Sequence, residues 1–201
     1  MTTLLIATTN QGKAREIAMA LAGLPIRLLT LRDVPPVPEP EEPGATFADN
    51  ALEKATYYCA QTGLLTVADD SGLAIDALNG RPGVASARYE GETYAEKFVN
   101  LYRELAAHPR PWTARFVCSV ALVDRSGVRF TAEASVEGEI TDRPRGTNGF
   151  GYDPIFFYPP YERTLGEVGD REKLAVSHRG KAFAQLREWL TPSDVEGPTR
   201  S

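Results

Sequence analysis

The sequence predicts an α/β protein built on a mixed sheet, and three observations carry that prediction. Short apolar runs of strand length alternate with segments of helical period through the first half of the chain. Two long strand patterns face each other across the turn "DRSG" at residues 124–127. Two Thr-x-x-acid signatures, Thr46 with Asp49 and Thr93 with Glu96, open the two clearest helices. Strands joined through helices pair in parallel, whereas hairpin strands are antiparallel, so one chain with both requires a mixed sheet.

Each element follows from its residues. Residues 4–10, "LLIATTN", read as a short buried strand that breaks into polar residues, and Ile17, Ala20 and Leu21 give residues 13–23 a helical period closed by Gly23 and Pro25. "IRLLTL" at 26–31 reads as a second strand, and "DVPPVPEPEEPG" at 33–44 as a proline-rich loop with an adjacent pair of free carboxylates, Glu41 and Glu42. Phe47, Ala51, Ala55, Tyr58 and Cys59 recur at helical spacing up to Gly63. "LLTVA" at 64–68 and "GLAIDAL" at 72–78 read as two strands, the second alternating and followed by the turn residues "NGRPG". Tyr94, Phe98, Leu101, Tyr102 and Leu105 form one helical stripe ahead of Pro109. Residues 114–123 and 128–141 are the hairpin strands; a glycine-rich "RGTNGFGYDP", a short apolar "IFFYPP", a polar stretch and a helix facing inward through Phe183, Leu186 and Leu190 complete the order. Residues 1–190 are expected to form a single domain, and 191–201, "TPSDVEGPTRS", a disordered tail.

Bulk properties narrow the function. At 201 residues, 42% hydrophobic and 24% charged, the chain can bury a substantial core. Its formal net charge of -5 supplies no general positive field for nucleic acid or anionic lipid, so a polyanionic ligand must be held by a local site. The two cysteines, Cys59 and Cys118, have neither metal-ligand spacing nor disulfide density and read as packed thiols. With no leader pattern and no apolar stretch of about 18 residues, a soluble cytoplasmic protein with no membrane partner is expected.

Four stretches carry chemistry. "TTNQGK", Thr8, Thr9, Asn10, Gln11, Gly12 and Lys13, lies between a strand and a helix start, where backbone amides, the helix dipole and a lysine favour phosphate; its spacing is not that of a Walker A loop. Asp69 and Asp70 stand where a strand is expected to end, and because adjacent residues of an extended chain point oppositely, one should face a ligand and the other the scaffold. An Asx-type turn closed by Ser71 and Gly72 explains the same pair. Beside a triphosphate, such a carboxylate would hold Mg²⁺, with Glu41 and Glu42 as the other paired carboxylates. Phe150, Gly151, Tyr152 and Asp153, in "GTNGFGYDP", combine close backbone approach, stacking faces and an acid suited to a planar heterocycle, or form a plain glycine-rich turn. "EKLAVSHRGKAF" puts His178 beside Arg179, a pair able to meet carbonyl oxygens or phosphate, while His108 at a helix end looks incidental.

The blocks "ATTNQGKAREI", "EEPGATFADNALEKA", "ADDSGLAIDALNGRPGVASARYEG", "ARFVCSVAL", "GTNGFGYDPIF" and "EKLAVSHRGKAF" stand in the order seen in the inosine triphosphate pyrophosphatases, which this sequence resembles along nearly its whole length. The resemblance implies a two-lobed α/β fold around an elongated mixed sheet, a homodimer, and Mg²⁺-dependent hydrolysis of non-standard purine nucleoside triphosphates (ITP, dITP, XTP) to monophosphate and pyrophosphate. It implies phosphate binding by Thr8 to Lys13, Asp70 as the metal-linked proton acceptor, Ser71 against substrate, and Phe150, Gly151, Tyr152 and Asp153 around the base. Lys173, His178 and Arg179 would close that pocket, with His178 and Arg179 reading a 6-oxo group. An upstream glutamate, assigned to Glu41 with Glu42 as alternative, would be the second metal ligand. "TTN" replaces the frequent "TGN" or "THN", and "TLGEV" replaces a Thr-x-Ala-Glu-Leu pattern just before Lys173.

Overall fold

The computed structural model describes residues 2–191, and the expected tail from residue 192 onward lies outside them. Seven strands form one sheet in the order β2-β1-β3-β4-β5-β6-β7, with β1 Thr2–Ile6, β2 Ile26–Thr30, β3 Leu65–Ile75, β4 Thr113–Asp124, β5 Gly127–Ile140, β6 Phe156–Tyr158 and β7 Arg163–Thr164. β1 pairs in parallel with β2 and β3, and every later pairing is antiparallel. The mixed sheet and the long hairpin expected from the sequence are both present.

The helices are α1 Gln11–Ala20, α2 Phe47–Thr62, α3 Tyr94–Leu105, α4 Asp170–Val176 and α5 His178–Leu190. Both threonine caps form: Thr46 accepts from the Asp49 amide, and Thr93 closes a full capping box with Glu96. Gly63 ends α2 at φ 69°, a left-handed conformation cheap only for glycine. The polar stretch after β6 conceals β7 and α4, because the inward residue of α4 is a charged one, Lys173.

Three apolar clusters hold the layers together. Leu4, Ile6, Val67, Val120 and Leu122 meet Ile17, Phe183 and Leu186 of α1 and α5 on one face of the sheet. Leu5, Ala68 and Ala121 meet Ala51, Ala55 and Tyr58 of α2 on the other. Burial on both faces is why β1 reads as an unbroken apolar run. The third cluster forms the second lobe, where Phe98, Leu101 and Leu105 of α3 pack with Leu73, Ile75, Trp112, Tyr152 and Phe156.

One expectation is corrected. "LLTVA" and "GLAIDAL" are not two strands separated by a turn but a single strand, β3, paired with β4 without interruption from Thr66 to Ile75. What ends near Asp69 is the parallel partner: β1 pairs only as far as Ile6 with Val67, and the Ala7 amide makes a last bond to the Val67 carbonyl. The Asp69–Asp70 pair therefore sits in mid-strand at the place where one sheet neighbour departs, which opens a crevice beside the strand.

Candidate active site

That crevice is a cavity of about 240 Å³ walled by the β1–α1 junction, the proline-rich loop, mid-β3, the glycine-rich loop and the start of α5. Alternation along β3 sends the two aspartates to opposite faces of the sheet. Asp69 turns toward α1 and α5, fully buried, where its Oδ2 accepts from Arg179 Nε and Nη2 at 3.2 Å each and lies 3.4 Å from Lys13 Nζ. Asp70 turns toward α2, where its Oδ2 accepts from Asn50 Nδ2 at 2.9 Å. Asp69 thus supports the scaffold through a guanidinium, not through the backbone bonds of a turn.

The electrostatics separate the pair further. Burial would raise Asp69, but the charges of Lys13 and Arg179 outweigh it and hold the carboxyl well below the usual aspartate range. For Asp70 burial prevails over Lys13 and the Asn50 amide, and its affinity for a proton is raised.

Behind the cavity runs a chain of alternating charges that sequence reasoning missed. Lys13 meets Asp69, Asp69 meets Arg179, Arg179 Nη1 donates to Glu16 Oε2 at 2.6 Å, Glu16 Oε1 meets Lys173 Nζ at 2.7 Å, and Lys173 meets Asp153 at 2.5 Å. Three cations and three anions alternate, all but Lys13 almost wholly buried. Glu16 is its centre: burial pushes its pKa up, but the charges and hydrogen bonds of Arg179 and Lys173 bring it below the usual value. One turn beyond Lys13 on a helix, it reads in sequence as a solvated residue.

The phosphate loop is built by capping. Asn10 is the N-cap of α1, its side chain accepting from the Lys13 amide at 3.0 Å, and Thr8 Oγ1 accepts from the Asn10 amide at 3.2 Å. Thr8, Thr9, Asn10 and Lys13 reach the cavity wall. Gln11 and Gly12 do not line it; their amides lie in the open first turn of the helix. Gly12 has a different use, since a Cβ there would stand 2.5 Å from the Phe150 ring.

The acidic loop also departs from expectation. Glu42, not Glu41, lines the cavity, and Glu41 is solvent-exposed. Two polar residues one turn apart on the buried face of α2 set this register: Lys54 Nζ binds Glu42 Oε1 at 2.6 Å, and Asn50 Oδ1 accepts from the Gly44 amide at 2.7 Å. Their spacing, with Ala51, Ala55 and Tyr58 on the same helical face, was the available signal. Glu39 joins the wall as well, accepting from Thr9 Oγ1 at 3.0 Å.

At the far wall, Asp153 Oδ2 accepts from the Phe150 amide at 2.7 Å as well as from Lys173, fixing the glycine-rich loop; Gly149 at φ 71° leaves no room for a Cβ against that oxygen. Burial raises the Asp153 pKa against the pull of Lys173. Lys173 Nζ lies 4.5 Å from the Phe150 ring centroid, a cation–π contact. The Tyr152 hydroxyl donates to the Ser86 carbonyl at 2.8 Å, so much of this ring serves the lobe core. His178 is stacked on Phe116 at 4.8 Å and 19°, and burial together with the Arg179 and Lys173 charges drives its pKa well below the ordinary value, leaving a neutral imidazole. Its Nδ1 is buried without a hydrogen-bond partner in the described residues. Arg179 reaches the wall, but its guanidinium is committed to Glu16, Asp69 and Ser71 Oγ. Cys59 and Cys118 are buried free thiols raised in pKa by burial, consistent with packing.

The arrangement can hold a ligand with an anionic end, at the α1 N-terminus with Lys13 and Lys54, and a planar end, at Phe150, Lys173 and His178, with Asp70 on the wall they share. The carboxylates of Asp70 and Glu42 are hard oxygen donors of the kind Mg²⁺ takes in twos alongside phosphate oxygens, so the residues present fit that ion. Among the described residues no helix is long and apolar enough to cross a membrane.

Residues 4–189 match the model of the Ham1 family. The chain is 49% identical over 199 residues to a dITP/XTP pyrophosphatase of Geobacter sulfurreducens, covering 98% of this chain and all of the relative. It is 46% identical to a dITP/XTP pyrophosphatase of Syntrophobacter fumaroxidans, over 93% of this chain and 84% of the relative. The fold superposes on a HAM1 protein from Coxiella burnetii with a TM-score of 0.87 at 42% identity, covering 94% and 98% of the two chains.

Proposed function

The chain belongs to the Ham1 family, and from that premise we propose that it hydrolyses non-standard purine nucleoside triphosphates, dITP, XTP and ITP, to the monophosphate and pyrophosphate. The observation that carries this reading is the single cavity in which the α1 N-terminus with Lys13, the α2 residue Lys54 and a base-sized aromatic and histidine wall meet at the Asp70 carboxylate, held by Asn50.

In this reading the triphosphate lies against Thr8, Thr9, Asn10 and Lys13, with Lys54 beside it, and the cations offset charge that grows as the α–β anhydride breaks. Asp70 accepts a proton of the attacking water, and the water oxygen joins the α phosphorus as the bond to the departing pyrophosphate breaks. Asn50 fixes the carboxylate's orientation, and Ser71 stands beside the substrate with its oxygen already accepting from Arg179. Mg²⁺, held by Asp70 and Glu42, supplies charge neutralisation and an acidified water when bound.

The base lies by Phe150 and Gly151, with Tyr152 and Asp153 holding that loop. Selection of a 6-oxo purine falls to the His178 imidazole, because Arg179 and Lys173 are both committed to the charge chain. A donor facing an adenine amino group would remain unpaired, which costs more than a missing methyl contact. A cytoplasmic homodimer belongs to the same proposal; light scattering after gel filtration tests the dimer.

The decisive assay is pyrophosphate release with Mg²⁺ from a panel of triphosphates. XTP, dITP and ITP are expected to turn over far faster than ATP, and equal rates for all four would overturn the selectivity; no release from any would overturn the activity.

A further inference from the structure

Tyr94 is the first residue of α3, held in place by the Thr93–Glu96 capping box, and 38% of it is exposed although the other aromatic side chains around it are buried. Its ring stands edge-on to Tyr152, with centroids 5.3 Å apart at 89°, and lies 6.2 Å from Phe98. A Cβ on Gly151 would stand 3.5 Å from the Tyr94 hydroxyl, so the phenol hangs over the backbone of the glycine-rich loop. Tyr94 forms part of the cavity wall. Two neighbouring tyrosines spend their hydroxyls inside the protein, Tyr89 on Glu104 and Tyr152 on the Ser86 carbonyl. Among the described residues the Tyr94 hydroxyl has no such partner. Burial, with the Asp153 charge, raises its pKa, which keeps it a proton donor at neutral pH.

A rigidly placed tyrosine with one ring face packed, the remainder open to a cavity and the hydroxyl unused has the amphipathic surface by which tyrosine contacts ligands. We infer that Tyr94 is a nucleoside-contacting residue, contributed by the second lobe, that offers an aromatic edge and a hydroxyl to the base-and-sugar half of the substrate. The inference rests on the proposed function. Its location decides which half: the ring neighbours are Tyr152, Phe98 and Gly151, on the side of the cavity opposite in character to the lysines of the phosphate end. Lys97, 6.0 Å from the ring, donates to the Ala87 and Tyr89 carbonyls and is thereby occupied.

The test is steady-state kinetics of Tyr94→Ala and Tyr94→Phe with XTP and dITP, together with inhibition by the monophosphate product and, separately, by pyrophosphate. Tyr94→Ala is expected to raise KM about ten-fold with kcat within about two-fold, a loss of binding and not of chemistry. The inhibition constant of the monophosphate should rise in parallel while that of pyrophosphate stays unchanged, a split that general disturbance of the fold would not produce. Tyr94→Phe keeps the ring and its packing, and a KM rise of about three-fold measures the hydroxyl share. Unchanged KM and monophosphate inhibition in both variants, or an equal rise for pyrophosphate, would overturn the inference while leaving an active wild type and its function in place. A wild type inactive on every triphosphate would overturn both.

Discussion

Asp69 and Asp70 are neighbours in sequence and opposites in space: one carboxylate is locked to the Arg179 guanidinium behind the sheet, the other meets the Asn50 amide at the cavity. The same side chain in consecutive positions thus has a depressed and a raised pKa. Their variants should fail differently. Asp70→Asn is expected to cut kcat by about 10²–10⁴-fold, the range of a lost general base, with an unchanged melting temperature. Asp69→Asn should instead destabilise the fold by about 3 kcal/mol, because Arg179 is left buried beside a neutral amide. Calorimetry and single-turnover rates on the two proteins check this, and a stable Asp69→Asn protein would contradict the scaffold role.

Glu16 couples two buried cations, so Glu16→Ala should cost about 3–5 kcal/mol and Glu16→Gln less, since the amide still accepts from one of them. A double-mutant cycle between Glu16 and Lys173, each truncated to methionine, should return a coupling of about 1–3 kcal/mol by urea denaturation. Additive losses would mean that the 2.7 Å contact contributes no net stability.

The chain has two histidines. The ¹⁵N resonances of the one absent from His178→Ala are expected to stay those of a neutral imidazole between about pH 5 and pH 8. Titration of that signal in this interval would remove burial and the two flanking cations as the controlling influences. Because Phe116 is stacked on the ring, Phe116→Ala should admit water and bring the titration back toward the ordinary value.

Stability should fall on acidification. Asp69 and Glu16 are held below their unfolded values of 3.8 and 4.5, so the unfolded chain binds more protons there; their contribution is complete above those values and is lost as pH falls from them through the lower folded values. His178, depressed below 6.5, begins the decline earlier by the same sign. Asp153, raised by burial, works in the opposite direction and offsets part of the loss. The urea midpoint measured from about pH 7 to about pH 2 should decline gently while His178 alone contributes and steeply below about pH 4.5, the steep part being shallower in Asp69→Asn. A flat profile would mean the charge chain does not govern acid stability.

The elements legible in the sequence were those whose stabilising partners are local. The Thr46 cap, the Thr93 capping box and the turn at Asp124–Gly127 depend on residues within a few positions, and all are present, although Asp49 does not close a box with Thr46. The continuity of β3 was hidden because Asp-Asp-Ser-Gly interrupts an apolar run, and its burial depends on Arg179 and Asn50, which are 110 and 20 residues away in the pairs they form. For the same reason α4 read as a polar stretch and Glu16 was not singled out: each turns a charge inward toward a partner that period and propensity do not reveal. The family motifs gathered the cavity residues by name, but the choice between Glu41 and Glu42 needed the two polar side chains of α2.

The alternating charges behind the cavity also impose an order of events. Glu16 leaves the ribosome long before its neighbours Lys173 and Arg179, more than 150 positions separating the Arg179–Glu16 pair. Until α4 and α5 have been made, Glu16 lacks both of its counterions and Asp69 has only Lys13, so both carboxylates are better hydrated than buried. The nascent first lobe therefore has reason to remain open at its centre until α4 and α5 arrive, so that the site is assembled only once those helices have been made.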